Sequence, residues 1–261
     1  MPAKPRRLKS VDPQPVRGRV SRPEWDTRLN LAAAYQLAAH FGWIDLIYTH
    51  FSARVPGRDD HFLINPYGLM FDEITASNLV KIDHHGKVVD DSTGLGYNEA
   101  GFVIHGAVHQ ARPEIQCVIH THTRAGVAVS AMQCGLLPIS QHALRVYADA
   151  SYHDYEGIAL ERDERARLVR DLGRSRTMIL RNHGLLALGD SVRDAFERMY
   201  YLQCACQIQV DALASGAVNL VSEEVARKTW EQFERPDRSS PHKDWPALLR
   251  LLDRKGSNYR D

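Results

Sequence analysis

Two short apolar runs end in histidine, and that pairing constrains the fold of this chain more than any other feature. Ile115 to Ile119 leads into His120-Thr121-His122. Met178-Ile179-Leu180-Arg181 leads, some sixty residues later, into Asn182-His183-Gly184. On a strand, residues i and i+2 point to the same face, roughly 6.5–7 Å apart at Cα. Two imidazoles so placed can share one ion at about 2.0–2.1 Å per Zn–N bond. A third imidazole, His183, joins them if the two strands end together. Gly184 allows the tight backbone that a ligand turn often needs. An isolated buried histidine is usually a hydrogen-bonded core residue, but two on one strand face plus a third before a glycine read as a metal site. Three histidine ligands leave a position open for water or substrate, the pattern of a catalytic ion.

The 261 residues are 44% hydrophobic and 25% charged, enough apolar material for a large core. A net charge of +1 gives no electrostatic case for nucleic acid or membrane surface. No apolar run approaches the roughly 20 residues a membrane helix needs. Residues 1–22 are basic and proline-rich, with Arg6-Arg7 but no apolar stretch behind them. They read as a flexible arm rather than a signal sequence. Cys117, Cys134, Cys204 and Cys206 lack a disulfide-scaffold pattern, and a cytoplasmic setting is expected.

Ser21-Arg22-Pro23-Glu24 has the form of a capping box and predicts a helix from Pro23 to Phe41. Ile47–Val55 and His61–Asn65 read as strands joined by a Pro56–Asp60 turn. Leu79–Asp83 and Lys87–Val89 flank a His84-His85-Gly86 turn. A helix from Tyr97-Asn98-Glu99 to Arg112 precedes the His120 strand. Further helices are expected at Ala125–Met132, at Glu161–Leu172, and from a Ser191 cap to Ala214, with a strand at Leu185–Leu188. Hairpins first and alternation later argue for a mixed α/β layer fold with much antiparallel pairing. Residues 23–220 read as one domain, and the polar, proline-punctuated 221–261 as an extension packed on it or on a neighbouring subunit.

Glu99, at a predicted helix start, is the candidate acid/base or exchangeable fourth ligand. A divalent ion on neutral imidazoles acts as a Lewis acid toward a carbonyl or hydroxyl oxygen. Aldol cleavage, decarboxylation beside a carbonyl, and epimerisation fit that chemistry. His105 and His109 form an i, i+4 pair without the glutamate of a zinc-protease helix, so packing or supporting roles are expected. His50 and His142 are candidate pocket residues.

These residues together resemble the class II aldolase/adducin family, across about Arg28 to Ala217. The likeness is strong at IHGAVHQARPEIQCVIHTHT, AVSAMQCGLLPIS and ILRNHGLLALG. It implies a three-layer α/β/α sandwich around a mostly antiparallel sheet, and a fourfold homotetramer with active sites at subunit interfaces. It implies His120, His122 and His183 as ligands with Glu99 before them. Zinc heads the candidate ions; iron, manganese, cobalt and nickel are also compatible. Within the family the chain looks more like the adducin head, but it keeps a carboxylate at Glu99.

The positions that match the family's phosphate-holding residues are His50, Tyr67-Gly68 and Tyr97-Asn98. These are bulkier and more aromatic than a phosphate site favours. The expected function is a metal-dependent carbon–carbon lyase, cleaving through a metal-stabilised enolate a small, non-phosphorylated hydroxy or keto compound. A decarboxylase or Fe(II)-dependent oxidative decarboxylase of a hydroxy (aromatic) acid is the first alternative, and a non-catalytic adducin-like interaction module the second. Tyr152 or Tyr155 could donate a proton across an interface.

Overall fold

The computed structural model describes residues 16–157, 164–235 and 243–261. The basic arm, as far as residue 15, and the start of the helix expected at Glu161 lie outside the described residues. Helix α1 (Arg22–His40) begins where the capping serine predicts, with Ser21 Oγ accepting from Glu24 N at 3.3 Å. The reciprocal half of the box is not formed. The buried Glu24 carboxylate instead accepts from Arg28 Nε at 3.1 Å and Lys81 Nζ at 2.8 Å. Charged donors out-compete one backbone amide for it.

The chain then builds β1 (His50–Val55), β2 (Arg58–Ile64), β3 (Val80–Asp83) and β4 (Val88–Asp90), before helix α2 (Glu99–Ala111) and β5 (Cys117–Thr121). Helices α3 (Arg124–Ser130) and α4 (Gln141–Leu144) lead to β6 (Ala150–His153). Helix α5 (Glu164–Leu172), β7 (Thr177–Leu180), β8 (Gly184–Gly189) and the long α6 (Val192–Ala214) complete the layers. The eight strands lie in the order β4-β3-β2-β1-β5-β8-β7-β6. Every neighbouring pair is antiparallel except β6 with β7.

Strand alternation sorts side chains onto two faces. Cys117 and Ile119 of β5 join the core beneath α1, α3 and α6. Val118 joins the core beneath α2 and α5. His120 has the parity of Val118, so it faces the α2 layer. This is the expected mostly antiparallel α/β/α sandwich.

One local expectation changes, and two features had no counterpart in the sequence reading. The Pro56–Asp60 turn is tighter than its sequence suggests. Val55 pairs with Arg58, and Gly57 takes the left-handed conformation (φ +74°) that a proline–glycine turn requires. Strand β6 had no expectation, because Ala150-Ser151-Tyr152-His153 shows no apolar alternation. The tail carries helices α7 (Glu223–Phe233) and α8 (Asp244–Arg254), and Trp245, Leu252 and Tyr259 enter the α1/α6 core.

The Tyr35 hydroxyl fastens α1 to the sheet. It accepts from Phe51 N at 2.6 Å and shares its one proton between two acceptors, Phe51 O at 2.6 Å and Asn65 Oδ1 at 2.8 Å. Its ring stacks on Phe51 at 4.6 Å. A Tyr35→Phe exchange strands buried polar partners at full packing, and should cost about 1–3 kcal/mol. A urea midpoint lowered at constant slope would show it; an unchanged midpoint would mean that ring packing alone holds the joint.

Candidate metal centre

β5 and β8 pair with Thr121 opposite Leu185, so the residue after β5 and the residue before β8 are neighbours. That register brings His122 beside His183, while His120 reaches them from within β5. The three rings form a near-equilateral set. Centroids are 4.6 Å apart for His120–His122, 4.8 Å for His120–His183 and 4.7 Å for His122–His183. One nitrogen from each lies within 4.8 Å of the others, and this is the one group of three or more such ligands among the described residues.

Hydrogen bonds fix the orientation of two rings. His120 Nδ1 lies 2.9 Å from Leu185 O, which can only accept, so Nδ1 carries the proton. His122 Nδ1 lies 3.0 Å from Asp45 Oδ2, a carboxylate that accepts likewise. The two Nε2 atoms lie only 2.8 Å apart, and both are bare when the two rings are neutral. Two lone pairs at that separation repel unless a proton or a cation lies between them. Burial, then His183 and His122, holds His120 well below the usual imidazole range. Burial, then His122, brings His183 down to about 4. Two imidazoles held neutral, with a third converging on them, suit a divalent ion, so the residues present fit the metal that the sequence implies.

The turn that carries His183 is made differently from the expectation. Asn182, not Gly184, takes the left-handed conformation, at φ +57°. Asparagine is among the few residues that tolerate it. Gly184 is required for close approach instead: a Cβ there would stand 2.4 Å from the Thr121 carbonyl oxygen and 3.0 Å from His122 Cδ2.

The rings open into a cavity of about 250 Å³. His50 and Asn98 line it, as do Tyr48, Thr49 and Tyr155. His50 is buried with neither ring nitrogen bonded, and the neighbouring Thr49 hydroxyl is buried and unbonded too. Burial pushes His50 down to about 4, with the His122 ring next in effect.

Helix α2 turns Gly101 and Ile104 toward this space, and Asn98 just before the helix joins them. Glu99 is exposed and lines a separate cavity with His84, His85, Tyr97 and Arg165. At 100° per residue, positions 99 and 101 lie roughly 200° apart around the helix. The position that does face the histidines is Gly101, where a Cβ would meet His50 Nε2 at 2.0 Å. The His50 ring occupies the volume a carboxylate at 101 would need.

Tyr97 donates to Gly86 O at 2.7 Å, and Tyr67 and Gly68 lie outside the histidine cavity. His142 is exposed beside Tyr201. Tyr152 accepts from Leu136 N, whereas Tyr155 stands 6.3 Å from the His183 ring. His105 and His109 are both bonded to Ser52 Oγ, at 2.6 and 2.8 Å, in a buried supporting role. Sequence reasoning missed Asp45. It lies in an irregular loop with no motif around it, and its only signal is a carboxylate among apolar neighbours.

A family model described as the class II aldolase and adducin N-terminal domain matches residues 29–210. The crystal structure of an aldolase II superfamily protein from Pseudomonas syringae is 55% identical, with TM-score 0.90, covering 94% of this chain and 99% of that one. An L-fuculose 1-phosphate aldolase from Glaciozyma antarctica is 27% identical, with TM-score 0.81, covering 99% and 97%. Alpha-adducin of Mus musculus is 46% identical over 249 residues, which are 88% of this chain but 33% of the adducin. The histidine motifs, the sheet order and these likenesses agree: the chain belongs to the class II aldolase and adducin family.

Proposed function

We propose that this protein is a metal-dependent carbon–carbon lyase acting on a small, non-phosphorylated hydroxy or keto compound. His120, His122 and His183 would hold one divalent ion, zinc first among the candidates. The observation that carries the reading is the pair of Nε2 atoms 2.8 Å apart beside a third imidazole. When bound, the ion supplies Lewis acidity toward a substrate oxygen. Thr49 and His50 face the same space with unbonded polar atoms and would accept or donate hydrogen bonds to the substrate's hydroxyl groups. Among the described residues no lysine or arginine lines the cavity, which supports an uncharged end rather than a phosphate. Tyr48 and Tyr155 stand at the cavity wall, each about half exposed, where either hydroxyl can return a proton. Exposed Ile44, Leu46 and Tyr48 near the same wall support the proposal of a homotetramer with interfacial sites.

One observation favours decarboxylation of a hydroxy acid as the second reading. Among the described residues the one carboxylate lining the cavity, Asp45, is engaged with His122, and Glu99 faces elsewhere. Retro-aldol cleavage needs a base to take a hydroxyl proton. Loss of carbon dioxide from a hydroxy acid whose aromatic ring or neighbouring carbonyl takes up the electron pair needs only a proton returned to carbon. A screen of zinc-, manganese- and iron(II)-loaded protein against neutral hydroxy ketones, sugar phosphates and hydroxy acids separates the readings. An aldehyde with a ketone from the first group is the expected product pair, and carbon dioxide from the third would move the assignment to the decarboxylase. Turnover confined to sugar phosphates would overturn the non-phosphorylated substrate, and oxygen uptake with iron would indicate the oxidative reaction.

A further inference from the structure

Each metal-facing ring is held from behind in its own way. His120 is fixed by the main chain, through Leu185 O within the β5–β8 ladder. His122 lies just past the end of β5, where ladder hydrogen bonds no longer restrain it. Its outer nitrogen meets one side chain, Asp45, at 3.0 Å. Asp45 belongs to the segment between α1 and β1, 77 residues away in sequence. That segment is shaped with effort: Leu46 and Thr49 both have positive φ, at 50° and 70°, and Tyr48 N bonds back to Asp45 O at 2.9 Å. Positive φ is costly for leucine and more so for a β-branched threonine. The backbone that bears these costs delivers the Asp45 carboxylate to the back of the His122 ring.

We propose that Asp45 is the positioning residue of the metal centre. Its carboxylate keeps the His122 proton on Nδ1, aims the Nε2 lone pair into the triad, and raises the ring's strength as a donor. Retention of the ion therefore depends on the α1–β1 segment as well as on the three histidines. The proposal rests on the metal reading above.

The test is the affinity of the full-length protein for Zn²⁺ and Co²⁺, measured by competition with a chromophoric chelator. Wild type, Asp45→Asn and Asp45→Ala are compared, with His120→Ala/His122→Ala as the metal-free reference. Asp45→Ala should bind about 10–100-fold more weakly, the usual cost of losing a group that orients a ligand. Asp45→Asn should fall between, because its amide oxygen still accepts from Nδ1 without the charge. The visible spectrum of the Co²⁺ form should change in Asp45→Ala, while the thermal midpoint of the metal-free protein stays at the wild-type value. Affinity of Asp45→Ala within twofold of wild type overturns the positioning role and leaves the triad standing. If Asp45→Ala fails to fold, wild-type affinity in Asp45→Asn overturns it equally. A wild-type protein that binds neither ion overturns both this proposal and the metal reading.

Discussion

Replacing His120 and His122 together with alanine will remove the metal from the protein. Elemental analysis of gently purified wild type should give about one divalent ion per chain, as one three-histidine site implies, and the double variant should give background. Turnover should drop by about a thousandfold or more, since Lewis-acid stabilisation is worth several kcal/mol and each 1.36 kcal/mol is tenfold. The fold should survive. His120 gives up its hydrogen bond to Leu185 O and His122 its bond to Asp45, and the close pair of Nε2 atoms disappears with them. The metal-free variant should therefore unfold at or above the thermal midpoint of metal-free wild type, a stability gained at the cost of function. Equal metal content in the two proteins would sink the assignment of the triad.

Gly184→Ala carries the second large effect, for a steric reason. The new methyl group would stand 2.4 Å from the Thr121 carbonyl oxygen, a backbone atom fixed by the β5–β8 ladder. A flexible side chain could swing away, but a paired strand cannot, so β5 and β8 must part near the histidines. Overpacking of this kind costs about 1–3 kcal/mol, or a fall in thermal midpoint of roughly 2–10 °C. Metal affinity should fall with it, because His122 Cδ2 is the next atom met, at 3.0 Å. Gly18→Ala, where a Cβ meets nothing within 4 Å, is the neutral reference. A variant at Gly184 as stable as that reference would show that the strands yield more easily than their register suggests.

Much of the architecture was legible because it rests on local chemistry. Ser191 announces α6, and its hydroxyl accepts from Asp194 N at 3.1 Å. The i, i+2 histidines declare a strand, and the strand's alternation carries both to one face. Legibility ended where the outcome depends on long-range placement. The phase of α2 decides that Gly101 rather than Glu99 meets the histidines, and a helix start fixes phase only once its packing is known. Glycine in a helix reads as a weakness; here it admits the His50 ring. Asp45 could not be connected to His122 without the fold, and β6 lacks an apolar pattern because three of its four residues are only half-buried. The turn at His183 was expected for the right residues but the wrong cause: asparagine supplies the backbone twist and glycine supplies the clearance.

The β5–β8 pairing has a consequence for how the protein opens. The proposed centre would draw two ligands from the end of β5 and one from the residue before β8, so a bound ion would tie the middle of the sheet across adjacent strands. The β2–β3 side has its own apolar cluster of Phe62, Ile64, Val80 and Ile82, which does not depend on that tie. Amide protons of Cys117–Thr121 and Gly184–Gly189 should therefore exchange more slowly when the ion is present, while those of β2 and β3 change little. The cofactor would serve as a rivet as well as a reagent, and its departure would loosen first the strands that had held it.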